Sequence, residues 1–356
     1  RRAMLPYTWH QDRINRELAD AIEQANRRSA EALSLLQEQA AMTDARLLQE
    51  IRGHQATIDT LIEQLGTEQV ARQRSEAEAR HGVARLQARA FDLPVPERPW
   101  THEYNALHRG LVTVALDDPG FQRWFREAEE LPDGYGVGFD ERVVEYPWLL
   151  AQDPDGRVLD AGSVLNHDHL LDRFRPRFDA LTIATLVTED ETFPERDISY
   201  LDADLRELPF ADESFDATVC LSTLEHVGMD NAYYGAGEDV AAVAEDPAKE
   251  ARCALAELLR VTRTGGKVLL SVPFGHAERL GWLRVFGPAD LDALLADVPA
   301  EHRRVEIFGY TANGWQRTTA DAVIDARYRD YQADPSPVDD AAAAARAVAC
   351  VAVTVF

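Results

Sequence analysis

Cysteine and positive charge are both scarce in this chain, and long apolar runs are missing. Three of its 356 residues are cysteine (Cys220, Cys253 and Cys350), and none sits in a CxxC pair. That spacing indicates neither a disulfide framework nor a redox motif, and buried, reduced thiols are the expectation. No apolar stretch reaches the roughly 18 residues of a membrane-spanning helix, and no signal peptide is visible, so a cytoplasmic location is expected. Lys and Arg number 37 against 62 Asp and Glu, a formal net charge of -25. A surface that acidic repels phosphate backbones, so nucleic acid is not an expected partner. The chain opens at Arg1-Arg2 rather than at Met, as a piece of a longer or processed protein would.

Proline is absent between Pro6 and Pro94, and only Gly53, Gly66 and Gly82 interrupt that stretch. Ala, Glu, Gln, Leu and Arg dominate it, all good helix formers. Apolar positions step by three, four or seven through Leu18, Ile22, Ala25, Ala32, Leu36, Ala40, Leu47, Ile51, Ile58, Leu61 and Leu65. This predicts a long helical, coiled-coil-like arm over 1–92, serving as a homo-oligomer seam or a docking arm for a protein partner. The proline-rich run 92–99 marks the boundary. Residues 93–150 read as a helical linker or lid, anchored by Trp100, Tyr104, Trp124 and Phe125.

From 151 to 356 the pattern changes to alternating strands and helices. Strands are predicted at Arg157–Ala161, Leu181–Leu186, Ile198–Tyr200, Ala217–Leu221, Lys267–Val272, Arg304–Tyr310 and Ala347–Phe356, with helices over about 248–262 and 288–297. Such alternation implies an α/β, Rossmann-like, doubly wound and mostly parallel sheet. The last two strands lack a joining helix of ordinary length, which suggests an antiparallel pair at one edge. In such sheets ligands gather at the carboxyl ends of the strands, near the switch in strand order. The first strand ends there in Asp160-Ala161-Gly162, but no Gly-x-Gly-x-x-Gly follows, which argues against a nicotinamide dinucleotide. His167, Asp168, His226 and His276 show no tight ligand spacing beyond His167-Asp168-His169, so no metal is expected.

Three blocks carry more specific information. The first is Leu159-Asp160-Ala161-Gly162-Ser163-Val164-Leu165-Asn166-His167. The second runs from Asp204-Leu205 through Leu208-Pro209-Phe210 and Ser214-Phe215-Asp216 to Ser222-Thr223-Leu224-Glu225-His226-Val227. The third is Glu257-Leu258-Leu259-Arg260 through Gly265-Gly266-Lys267 to Pro273-Phe274. Together they resemble the class I S-adenosylmethionine-dependent methyltransferases over about 150–356. The first block, with Ser222 to Asn231 and Tyr234-Gly235, is more closely similar to the branch found in polysaccharide and lipopolysaccharide biosynthesis. The resemblance implies S-adenosylmethionine as cofactor and a saccharide hydroxyl, on a surface glycan or its precursor, as acceptor. A small-molecule natural-product acceptor and a degenerate scaffold of the same fold are the alternatives.

Site residues follow from the same resemblance. Asp160, Gly162, Ser163 and Asn166 would form the first cofactor loop. Of the usual three glycines only Gly162 remains, and Ser163 and Asn166 would replace backbone contacts. Thr185 stands where an acid normally holds the ribose hydroxyls, with Glu189 or Asp190 close in sequence. Asp204 would accept from the adenine amino group, with Leu205 beside the ring, and Ser222 would lie by the methionine portion. Transfer to a hydroxyl needs a base. His226 suits that role, with an ordinary pKa near 6.5, and Glu225 is the second candidate. Asp230, Asn231, Tyr233 and Tyr234 read as a loop over the acceptor.

Overall fold

The computed structural model describes residues 98–235 and 243–356. The predicted arm over 1–92 lies outside the described residues. Asp118 shows how the sequence sets element boundaries. It closes the helix α1 (His102–Asp117) and caps α2 (Pro119–Arg126), its carboxylate accepting from the amides of Gly120 and Phe121. Pro119 follows at the first helical position, where a missing N–H costs nothing.

The next helix, α3 (Arg142–Ala151), carries Pro147 in its interior. A proline there leaves the carbonyl four residues earlier without its helical donor. That carbonyl is Val143's, and the Tyr135 hydroxyl donates to it at 2.6 Å. The helix therefore survives its proline, and Val143 to Leu150 are all buried.

Eight strands follow in one sheet: β1 (Gly156–Ala161), β2 (Phe178–Thr185), β3 (Ile198–Asp202), β4 (Phe215–Leu221), β5 (Thr262–Pro273), β8 (Arg303–Thr311), β9 (Gly314–Thr318) and β10 (Ala347–Thr354). A short ribbon, β6 (Glu278–Arg279) and β7 (Arg284–Val285), stands apart from it. The sheet order is β3-β2-β1-β4-β5-β10-β8-β9. Strands β1 to β5 pair in parallel, while β10 runs antiparallel to both β5 and β8, and β9 antiparallel to β8. The sheet is thus mixed, with most strands in one direction, as a Rossmann-like methyltransferase fold requires.

One sequence expectation is corrected by the strand order. The last two long strands do pair antiparallel, but not at an edge, because β10 inserts between β5 and β8. The edge is β9, folded back on β8 through a tight turn at Thr311–Gly314. Its residues Gly-Trp-Gln-Arg-Thr have too little alternation to announce a strand. Among the described residues the α-helices after β1 are α4 (Asp168–Phe174), α5 (Pro247–Val261) and α6 (Pro288–Leu294), the last two where the sequence placed helices.

The sheet is covered on both faces. Side chains alternate along a strand, so Val268, Leu270 and Val272 of β5 join a core with Ala251, Leu255 and Leu258 of α5 and Leu291 and Leu294 of α6. On the opposite face Ser271 meets α3, and Phe125 of α2 packs on Phe308 of β8 with ring centroids 6.0 Å apart. Buried Trp148 and Trp315 donate to Glu306 and to the Phe139 carbonyl. Residues 102–151 therefore supply one of the three layers.

Candidate functional site

Strand order reverses between β1 and β4, and a crevice at their carboxyl ends is the expected ligand position. A cavity of about 700 Å³ opens there, within the range of pockets for drug-sized ligands and cofactors. Of the residues singled out from the sequence, Gly162, Asn166, Thr185, Asp204, Leu205, Ser222 and His226 line it. Glu189, Asp190, Asn231 and Tyr234 line it as well.

Asp160, Ser163 and Glu225 do not line the cavity. Asp160 is fully buried, and its two oxygens accept from the amides of Val164 and Leu165. Burial pushes its pKa up to about 7, against the pull of those two amides. Asp160 thus holds the turn after β1 rather than facing a ligand. Ser163 adopts φ 64°, and its hydroxyl is buried without a hydrogen-bond partner. Gly162, at φ 118°, sits against Thr223: a Cβ there would lie 2.2 Å from Thr223 Oγ1. Glycine is required at this position by backbone and by space.

Asn166 lines the cavity, but its amide is spent elsewhere. Nδ2 donates to Glu189 Oε2 and to the Glu191 carbonyl, and Oδ1 accepts from Tyr200. It ties the first loop to the segment between β2 and β3. That segment brings Glu189, Asp190 and Glu191 to the cavity wall, beyond Thr185. The Thr185 hydroxyl donates to the Val187 carbonyl at 2.5 Å. Carboxylates able to accept from ribose hydroxyls are therefore present at this end, although no acid ends β2.

Asp204 faces the cavity while holding Arg206, whose Nε and Nη2 both donate to it. Burial raises its pKa, but the guanidinium outweighs that and leaves it below the ordinary carboxylate value. Arg206 also reaches Glu250 at 2.7 Å. The Arg206 amide donates to Asp204 as well, so three Arg206 N–H groups take up most of the carboxylate's roughly four acceptor positions and one is left for an amino group.

His226 sits in a short turn, Leu224–His226, directly after β4. Its Nδ1 lies 2.9 Å from the Trp282 carbonyl. A carbonyl only accepts, so Nδ1 carries the proton and Nε2 the lone pair. The Tyr234 hydroxyl lies 3.2 Å from Nε2 and donates to it. The imidazole also stacks on the Trp282 ring, centroids 5.4 Å apart. Burial lowers its pKa to about 4, although the Trp282 carbonyl works the other way. Glu225 Oε1 approaches Nε2 at 3.8 Å, but this is not an ion pair. Glu225 is only 2% exposed, and burial pushes its carboxyl well above the usual range. With a pKa of about 4 the imidazole is neutral near pH 7, while burial disfavours the ionised form of Glu225, which does not line the cavity. Of the two base candidates, the geometry presents His226 to the cavity.

No motif marks Arg142 or Glu145, yet both belong to the site. Arg142 lines the cavity. Glu145, fully buried, accepts from Arg142 Nη1 at 2.8 Å, from Ser222 Oγ at 2.6 Å and from Ser271 Oγ at 2.5 Å. Burial opposes the Arg142 charge, but Glu145 and the nearby acids Glu141 and Asp140 hold its pKa above the ordinary value. One signal for the pair was present. Arg142 and Glu145 are charged residues three apart within an apolar run, hence on one helical face, and Pro147 hides the helix.

Residues 162–270 match the family model described as a methyltransferase domain. No curated protein matches the chain. Among solved structures, the chain is similar to the N-methyltransferase NodS of Bradyrhizobium japonicum in complex with S-adenosyl-L-homocysteine, at 14% identity and TM-score 0.32, covering 57% of this chain and 80% of that one. It is similar to the 1,6-didemethyltoxoflavin-N1-methyltransferase of Burkholderia thailandensis at 15% identity and TM-score 0.34, covering 73% and 94%. The [4+2]-cyclase SpnF is similar at 15% identity and TM-score 0.38, covering 62% and 87%. The chain carries an S-adenosylmethionine-dependent methyltransferase domain, with S-adenosylmethionine as its cofactor. Among the described residues, no helix is long and apolar enough to cross a membrane.

Proposed function

We propose that this enzyme methylates a hydroxyl of a saccharide acceptor, a surface glycan or its precursor, with His226 as the general base. The observation that carries the reading is the state of His226: neutral, its proton on Nδ1, and its basic Nε2 beside Tyr234 on the wall of the cavity. A hydroxyl loses its proton as it attacks, and a neutral imidazole at cellular pH takes it without prior ionisation. Bound S-adenosylmethionine supplies a methyl group activated on a sulfonium. The rest is positioning, which supplies much of the rate in an in-line displacement.

The residues present fit that cofactor. Gly162 lets the chain approach closely, and Thr185 with Glu189 and Asp190 offers acceptors for ribose hydroxyls. Asp204 and Leu205 suit adenine, by hydrogen bond and by apolar contact. Ser222 lies at the end of β4, toward the amino-acid portion. Tyr234 and Asn231, beside His226, give the aromatic face and amide that suit a sugar. The polysaccharide branch rests on the first and second sequence blocks. The arm that the sequence predicts over 1–92, outside the described residues, would serve as an oligomerisation or docking element.

The test is calorimetric titration of the purified chain with S-adenosylmethionine and S-adenosylhomocysteine. Methyl transfer to a panel of saccharides is then followed by mass spectrometry, for the wild type and His226→Gln. Saturable binding near one per chain is expected, with transfer lost in the variant and binding kept. A folded chain that binds neither at millimolar concentration would favour a scaffold role. A fully active His226→Gln would return the histidine to a structural role. Transfer only to natural-product acceptors, with no saccharide methylated, would replace the acceptor class.

A further inference from the structure

The loop after β1 has little left with which to hold an anion. Between Gly162 and His167 five of the six backbone amides are already used. Gly162 donates to the Ala184 carbonyl, Asn166 to Ser163, and His167 to Leu165. Val164 and Leu165 donate to Asp160. The Asn166 side-chain amide is spent on Glu189 and Glu191. A ligand carboxylate beside this loop therefore finds at most one backbone donor there, the Ser163 amide, and has to draw on donors from outside the loop.

Two arginines line the cavity among the described residues, and they differ in what they have free. Arg206 is engaged at Nε, Nη1 and Nη2 by Asp204 and Glu250. Arg142 donates only through Nη1, to Glu145 at 2.8 Å and to the Leu221 carbonyl at 3.4 Å. Its Nε and Nη2 make no hydrogen bond with the described residues, and its side chain is 25% exposed. Glu145 fixes the guanidinium beside the carboxyl end of β4, next to Ser222, which it also holds. The Arg142 ring partner is Tyr146, at 5.9 Å, and the Tyr146 hydroxyl donates to Val164 in the first loop. The arginine is thus presented, on a rigid helix, where the first loop meets the fourth strand.

We infer that Arg142 binds the carboxylate of the cofactor's amino-acid portion, replacing backbone donors that the altered glycine loop has spent. The inference rests on the cofactor site proposed above. It adds that the charge complement of that site comes from α3, in the layer that precedes the sheet. An arginine with two free donor nitrogens gives a carboxylate a charge-assisted contact, the stronger class of hydrogen bond. Glu145 acts through Arg142 as a positioning residue.

The experiment is calorimetry with S-adenosylhomocysteine and with 5′-methylthioadenosine, which keeps the nucleoside and the sulfur but lacks the amino-acid portion. Wild type, Arg142→Gln and Arg142→Lys are compared. Arg142→Gln should weaken S-adenosylhomocysteine by about tenfold to a hundredfold, as for a lost charged hydrogen bond, and leave 5′-methylthioadenosine within about twofold. Arg142→Lys should recover part of the loss, because the charge remains. Equal weakening of both ligands would overturn the inference in favour of a packing role. Unchanged S-adenosylhomocysteine would also overturn it, and would turn Arg142 toward an acidic acceptor. If Arg142→Gln does not fold, the wild type decides through S-adenosylhomocysteine and its analogue lacking only the carboxylate, with Arg142→Lys as the variant arm. Equal affinities there overturn it. A wild type that binds none of these ligands overturns the cofactor site itself, which is a different result from binding the nucleoside but not the carboxylate.

Discussion

The Ser222 hydroxyl donates to the Glu145 carboxylate at 2.6 Å, across a sequence separation of 77 residues. The contact joins the layer before the sheet to the carboxyl end of β4, where Ser222 holds a φ of 40°. A non-glycine residue in that region costs on the order of 1–3 kcal/mol and persists only where its surroundings determine it. Here the surroundings are Glu145 and Ser271, whose hydroxyl accepts from the Ser222 amide at 3.0 Å.

Removing Glu145 leaves the partly buried Arg142 without its carboxylate and strands two buried hydroxyls. Glu145→Ala should therefore destabilise the fold by about 2–4 kcal/mol, somewhat less than the cost of breaking a fully buried charged pair, because Arg142 keeps some water. Ser222→Ala and Ser271→Ala should each cost about 1 kcal/mol. Because both hydroxyls share one acceptor oxygen of Glu145, losses should not add: Glu145→Ala made in a Ser222→Ala background should cost less than in the wild type. Urea unfolding of the four variants, followed by tryptophan fluorescence, measures this. Strictly additive losses would mean that the carboxylate and the hydroxyls act independently.

Gly162→Ala separates two costs at the cavity floor. The added Cβ meets Thr223 Oγ1 at 2.2 Å and Cγ2 at 2.6 Å, and the φ of 118° is strained for any residue with a side chain. The substitution should lower stability by at least about 2 kcal/mol, backbone strain and clash together. Adding Thr223→Ala removes the two closest contacting atoms, but leaves the Cβ of residue 223 at 2.9 Å and the strain. The double variant should regain part of the stability and no more. Full recovery would show that the backbone there tolerates a side chain, and no recovery would assign the cost to φ and to the remaining Cβ contact.

The legible part of this protein was whatever carries a local pattern. All seven predicted strands are present within a few residues of their expected ends, because alternation and β-branched runs read locally. The first strand ends at Ala161 as expected, and Gly162, Asp204 and His226 converge from blocks separated by up to 64 residues. What failed to show was set by tertiary contacts. Within the stretch read as helical, the bond that Pro147 removes from the helix at 142–151 is made good by Tyr135, a residue outside it, and no local pattern announces that repair. Strand β9 is held by pairing with β8 and by the Tyr135 carbonyl, which accepts from the Trp315 amide. Glu225 stands beside His226 in the motif, yet the short turn sends one side chain to the cavity and buries the other. One residue's shift along a tight turn reverses direction, and no spacing rule resolves it.

The pH dependence of His226 gives a prediction with a fixed sign. Its pKa falls from an unfolded value near 6.5 to about 4 in the fold. Between those values the unfolded chain binds a proton that the folded one excludes. Stability from this residue is therefore complete above pH 6.5 and drains away as the pH falls to about 4, a loss of about 3 kcal/mol for a shift of that size. The difference in unfolding free energy between wild type and His226→Gln should be constant above pH 6.5 and shrink below it. The same shift sets the acid limb of methyl transfer: a base that stays neutral down to about pH 4 keeps kcat/KM level through pH 5 to 6. NMR titration of the imidazole checks both at once. A midpoint between 6 and 7 would place the ring in water, remove the stability slope, and move the acid limb up by more than two pH units.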